Sequence, residues 1–113
     1  MKELLRIEFE EDAEEFLDAL PEKTRLKFIL CFRRVSAGEK GRFFTKLSGY
    51  KNLWEFRVEA DKTWYRLFAF YSETEKSLII CTNGFTKQKN KTPKSQINKA
   101  IALKDSYHNK DDS

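Results

Sequence analysis

Leu5–Phe9 reads LRIEF, with apolar and polar residues in alternation, the two-residue period of a short half-buried strand. Directly after it the period changes. Ala13, Phe16, Leu17 and Leu20 fall at i, i+3, i+4 and i+7, one apolar stripe along a helix. Pro21 ends that helix or opens the next at its first turn. Leu26, Ile29, Leu30, Phe32 and Arg33 carry a second helix to about Ala37, where Gly38 suits the C-terminal cap. The pair forms a helical hairpin, acidic in its first member and basic in its second. Residues 38–52 contain Gly38, Gly41 and Gly49 among bases and read as loop.

Three strands follow. Leu53–Glu59 puts Leu53, Glu55, Arg57 and Glu59 on one face and Trp54, Phe56 and Val58 on the other. Thr63–Tyr71 divides into Trp64, Arg66, Phe68 and Phe70 against Tyr65, Leu67, Ala69 and Tyr71. Ser77–Phe85 is nearly continuous apolar sequence. The connectors at 60–62 and 72–76 are short enough for hairpins, which makes the three strands antiparallel. Thr92 suits a helix N-cap and Pro93 its first position. Ile97, Ala100, Ile101 and Lys104 then form a narrow buried stripe in a helix reaching about Tyr107. The order β-α-α-β-β-β-α makes an α+β fold, with the helices expected on one face of a mainly antiparallel sheet and the other face open. One domain over residues 1–108 is expected, with a frayed tail at 109–113.

Composition narrows the classes. With ten Phe, four Tyr and two Trp in 113 residues, the core must be built largely of rings. Charged residues at 35% leave only short apolar runs, too short to span a bilayer. The start, MKELLRIEFEED, shows no apolar signal core, and Cys31 and Cys81 read as isolated buried thiols; both fit a cytoplasmic protein. Charge is unevenly placed. Residues 1–22 hold nine acids against two bases, the remainder twenty bases against nine acids, and between Gly84 and Lys104 six lysines meet no acid. A single charge run is ordinarily just a solvated face, but an imbalance across most of a small domain favours an anionic partner such as nucleic acid.

Motifs of metal, phosphate-loop and serine-nucleophile chemistry are absent, and the one histidine, His108, sits beside a polar tail where it reads as a solvated imidazole. No metal or other cofactor is therefore expected. The remaining chemistry lies in cations on strands. Arg57 and Arg66 sit in neighbouring, otherwise apolar strands, where a guanidinium must face water, pair with an acid such as Glu55 or Glu59, or bind an anion. Trp64, Phe68 and Phe70 share the face of Arg66, so either a bulge reorients the strand or rings and guanidinium share one surface. Beyond the last strand, Lys87, Lys89 and Lys91 alternate toward one rim ahead of Lys94, a pattern that a solvated lysine-rich loop would also show.

These motifs in this order carry a resemblance. KLSGYKNLWEFRVEADKTWYRLFAFY followed by LIICTNGFTKQKNKTPKSQINKAI resembles the RelE/ParE toxin superfamily, and within it the phage-derived HigB-like branch. The likeness spans residues 46–107, and the leading strand and helical hairpin fit the rest of a RelE-like fold. It implies a type II toxin that cleaves messenger RNA on the ribosome without a metal, by attack of a 2′-hydroxyl on the adjacent phosphate. A base takes the 2′ proton, cations stabilise the phosphorane and an acid protonates the leaving oxygen. By position Arg57 and Arg66 would be the phosphate-stabilising cations, and Lys87 or Lys89 would support the leaving group. Lys46 would hold the RNA backbone, with Lys51, Lys91 and Lys94 as further RNA contacts. Some ribosome-dependent relatives place a basic lysine two residues before the strand arginine; this chain has Glu55, which is either a carboxylate base or a structural partner of Arg57. A downstream tyrosine used by some relatives would be Tyr107, provided the last helix folds back. The resemblance also implies a cognate antitoxin, commonly of helix-turn-helix type. Two other readings share the fold: a ParE-like toxin acting on DNA gyrase, and a binding module that has lost cleavage.

Overall fold

The computed structural model describes residues 4–87 and 92–111. Eight elements follow in order: β1 (Arg6–Phe9), α1 (Glu11–Asp18), α2 (Glu22–Ser36), β2 (Phe44–Lys46), β3 (Trp54–Ala60), β4 (Thr63–Tyr71), β5 (Leu78–Lys87) and α3 (Lys94–Asp111). The expected α+β order is present with one addition. β2 lies inside the segment read as loop; it is three residues long and pairs Phe44, Thr45 and Lys46 with Phe56, Glu55 and Trp54. So short a strand has no alternation of its own to announce it, and β3 supplies its pairing.

The sheet runs β1-β5-β4-β3-β2, parallel only between β1 and β5. Asp61 and Lys62 both take positive φ, 51° and 65°, so β3 and β4 are joined by a two-residue turn whose twist matches the strands. The end of α2 shows why Gly38 is there. The Gly38 N–H donates to the Val35 carbonyl and the Glu39 N–H to that of Arg34, a wrap that requires the left-handed φ of 87° at Gly38.

The expectation that all helices share one sheet face is corrected. α1 and α2 pack Ala13, Phe28, Cys31 and Val35 on Phe56, Val58, Leu67, Ala69, Ile79 and Cys81. α3 crosses the opposite face, where Ile97 and Ala100 meet Leu53, Phe68 and Phe85, and Tyr107 meets Phe70, Leu78 and Ile80. The reason is in the strands. β4 is apolar on both faces, and a sheet with two apolar faces needs a cover on each.

α3 begins at Lys94, one residue later than expected, because the Pro93 carbonyl already accepts from Gln96 and Ile97. Its far end is also different from expectation: residues 109–111, read as frayed, continue the helix. Nor is His108 a solvated imidazole. Its side chain is only 15% exposed, its ring lies 5.2 Å from that of Phe70, and its Nε2 accepts from the Glu73 N–H at 3.1 Å. These contacts tie the last turns of α3 to the β4–β5 hairpin. Cys31 and Cys81 are both buried thiols, and burial raises the pKa of each. Among the described residues no helix is long and apolar enough to cross a membrane.

Candidate functional site

Strand pairing places the candidate side chains in rows. Arg57, Arg66 and Phe85 stand opposite one another across β3, β4 and β5; the next row holds Glu59, Trp64 and Lys87. Glu55 is one row in the other direction, opposite Phe68. All face the α3 side of the sheet; α3 covers Phe68, Phe70 and, in the row of Arg66, Phe85, while Glu59 and Trp64 in the next row are exposed. The conflict between rings and guanidinium on β4 is thereby resolved: the rings of one end are roofed by a helix, and the charges occupy the other end.

A bulge puts Lys87 on this face. Leu67 pairs with Gly84 and Ala69 with Cys81, so Phe68 alone stands against both Thr82 and Asn83. The extra residue inverts the alternation of β5: Ile79 and Cys81 enter the α1–α2 layer, whereas Phe85 enters the α3 layer. Two residues on, Lys87 follows Phe85. With regular pairing it would project toward α1. Asn83 fixes the bulge to α3, its Nδ2 donating to the Gln96 carbonyl and to Gln96 Oε1, each at 3.2 Å. At Gly84 the backbone lies so close to the Phe16 ring that a Cβ would sit 2.3 Å from it, and glycine alone admits that approach.

Within the rows, Glu55 Oε1 accepts from Arg66 Nη1 at 3.1 Å and lies 3.8 Å from Arg57 Nε. Arg66 is only 4% exposed. Arg57 and Arg66 hold their guanidinium carbons 5.6 and 5.2 Å from the centre of the Trp64 ring. Burial raises the pKa of Glu55, and the nearby charges of Arg57 and Lys87 pull it down by less. Three atoms of the cluster, Glu55 Oε2, Arg57 Nε and Arg66 Nε, are buried without a hydrogen-bond partner. One carboxylate thus faces three cations, with donors left unsatisfied, which is an arrangement suited to receiving an anion. Among the described residues no three of His, Cys, Asp and Glu converge as a metal cage.

The remaining candidates divide. Lys46 pairs with Trp54 and shares its face of the sheet, not that of Arg57, and its Nζ donates to the Tyr50 carbonyl at 2.8 Å. Lys51 is exposed in the turn before β3, its carbonyl accepting from Lys104 Nζ. Lys94 is exposed at the first turn of α3. Lys89 and Lys91 lie outside the described residues. Tyr107 does lie on the site's face, but it packs on Phe70, four residues along β4 from Arg66 and so roughly 13 Å away at strand spacing. Sequence reasoning missed the part played by Asn83, whose only signal was the Asn-Gly pair interrupting an apolar strand.

The fold has solved counterparts. The toxin RelE of E. coli, an arginine-substituted form in the free state, superposes with a TM-score of 0.68 at 14% identity, over 88% of this chain and 97% of that one. The toxin–antitoxin complex RelBE2 of Mycobacterium tuberculosis contains a chain matching with a TM-score of 0.56 at 16% identity, over 74% of this chain and 98% of its own. At such identities the likeness is one of fold. No curated protein matches by sequence. The family model described as Phage derived protein Gp49-like (DUF891) matches residues 15–105, from within α1 to within α3, and the chain belongs to that family.

Proposed function

We propose that this protein is the toxin of a type II toxin–antitoxin system, a cytoplasmic endoribonuclease that cuts messenger RNA in the ribosome. The observation that carries the reading is the Glu55–Arg57–Arg66 cluster, in which buried donors and a carboxylate oxygen stand without partners on a cationic face. The fold shared with two toxins supports it. In this reading the scissile phosphate lies against Arg57 and Arg66, replacing the Glu55 oxygen that now occupies Arg66. Glu55, its pKa raised by burial, takes the proton of the 2′-hydroxyl. The 2′-oxygen bonds to phosphorus as the bond to the 5′-oxygen breaks, leaving a 2′,3′-cyclic phosphate. Lys87, or Lys89 in its place, supplies the proton to the departing oxygen. Lys46, Lys51, Lys91 and Lys94 contact phosphates away from the reacting bond.

The partner is an antitoxin, of helix-turn-helix type, with an acidic or amphipathic segment that docks near Arg57, Arg66 and Lys87. The nuclease reading is tested on Arg66. On ribosomes programmed with a short message, Arg66→Ala should slow single-turnover cleavage about a hundred- to a thousandfold, the scale of one lost contact to a developing oxyanion. Arg66→Lys should recover only part, since an ammonium cannot offer two planar donors to phosphate. Because Arg66 is buried against Glu55, its removal also costs stability, so each variant is assayed below its own melting transition. A folded Arg66→Ala protein that cleaves at the parent rate would remove the assignment.

A further inference from the structure

We infer that Trp64 is a nucleobase platform, on which one base of the substrate strand stacks while the adjoining phosphate is held by Arg57 and Arg66. The inference rests on the ribonuclease reading and adds to it a site for the base. Of the ten Phe, four Tyr and two Trp, Trp64 alone is exposed, at 38%. The other indole, Trp54, stacks on Phe44 with ring centres 5.1 Å apart; among the described residues Trp64 has no ring partner. A single exposed apolar side chain is ordinary; what sets Trp64 apart is that its partly exposed ring lies against two guanidiniums within the site.

The surroundings of Trp64 indicate its use. Arg66 is two residues along the same strand face, Arg57 stands beside Arg66, and Lys87 pairs with Trp64 across β5. Both guanidiniums lie within 5.6 Å of the ring centre. A hydrophobic protein segment would gain little from one ring set among three cations. A nucleotide offers a flat π-face and a negative charge one sugar apart, and Trp64 with Arg57 and Arg66 offers a flat ring and positive charge side by side. Every base has such a face, so the platform binds without reading sequence strongly. A narrower role, in which the ring only holds the guanidiniums in place by cation–π attraction, makes a different forecast.

The test crosses two changes on programmed ribosomes. The full-length parent and its Trp64→Ala and Trp64→Phe variants are assayed on an intact message and on messages carrying one abasic ribose at each position of the A-site codon in turn. Trp64→Ala should raise the half-saturating toxin concentration about tenfold or more, the scale of one base–aromatic stack, with the maximal rate largely kept. Trp64→Phe should retain most of the affinity and keeps the variant series interpretable if the alanine variant folds poorly. At one codon position, removing the base should weaken the parent by the same factor and cost Trp64→Ala nothing more. If the losses multiply at every position, or if Trp64→Ala lowers the maximal rate equally on all messages, the ring serves the arginines and the platform is overturned. A parent protein that leaves intact message uncut removes the nuclease reading itself, and the platform with it.

Discussion

Glu55 sits where burial and charge oppose each other. Burial disfavours its carboxylate, Arg57 and Lys87 favour it, and burial is the larger effect, so its pKa is raised. A base works only when deprotonated. Single-turnover cleavage should therefore rise with pH along a limb lying above the ordinary carboxylate range, and Glu55→Gln should abolish both the limb and most of the rate. A profile unchanged by Glu55→Gln would leave Glu55 as a brace for Arg66. Stability carries the same sign information. A pKa higher in the folded than in the unfolded chain contributes stability that is complete below the unfolded value and is lost as pH rises through the folded one. Urea titrations of the parent and Glu55→Gln should accordingly diverge over that window, the parent losing ground as pH increases. Arg57 and Arg66 show a related economy: guanidiniums directly opposed across two strands would repel, and the single carboxylate beside both lets them stand together.

Among the elements, β5 decides most about the site. Its first half is paired to β1 and sends Ile79 and Cys81 into the α1–α2 layer and Leu78 and Ile80 toward α3; past the bulge at Thr82 and Asn83 the alternation is reversed. Asn83 is 2% exposed; its amide donates to two oxygens of Gln96 and accepts from the buried Thr82 hydroxyl, so Asn83→Ala would cut the tie from β5 to α3 and take a partner from Thr82. A destabilisation of about 1–3 kcal/mol is expected, the range for a buried group that loses its partner. Denaturant unfolding measures it; a change within a few tenths of a kcal/mol would mean that apolar packing of Ile97 and Ala100 alone seats the helix. The other end of α3 is held separately, by Tyr107 and His108 on Phe70 and by Glu73.

At the scale of the whole molecule, the uneven charge of the sequence becomes an arrangement in space. α1 packs on the sheet face opposite to Arg57, Arg66 and Lys87; its Asp12 pairs with Lys99 of α3 at 3.1 Å, and among the described residues none of its acids pairs with those three cations. Association with RNA should then be dominated by counterion release. A plot of log affinity against log salt for a single-stranded oligoribonucleotide should fall with a slope of about −0.7 for each phosphate neutralised. An affinity that stays flat between low and physiological salt would point to a protein target instead.

The faces of β3 and β4, the helical hairpin, the antiparallel order and the placing of Arg57 with Arg66 were all legible from periodicity, because alternation along a strand is a local property and neighbouring hairpin strands must share it. What the local pattern could not reveal was settled by partners distant in the chain. β2 exists because β3 pairs with it, and α3 lies on the second face because Phe68, Phe70 and Phe85 had to be covered there. Lys87 joins the arginines only because one extra residue in β5 reverses its direction. Whether Glu55 meets Arg66 depends equally on register across strands. Periodicity assigns a side chain to a face of its own element; which elements stack on that face, and what then stays exposed, follows from burying the whole apolar surface at once.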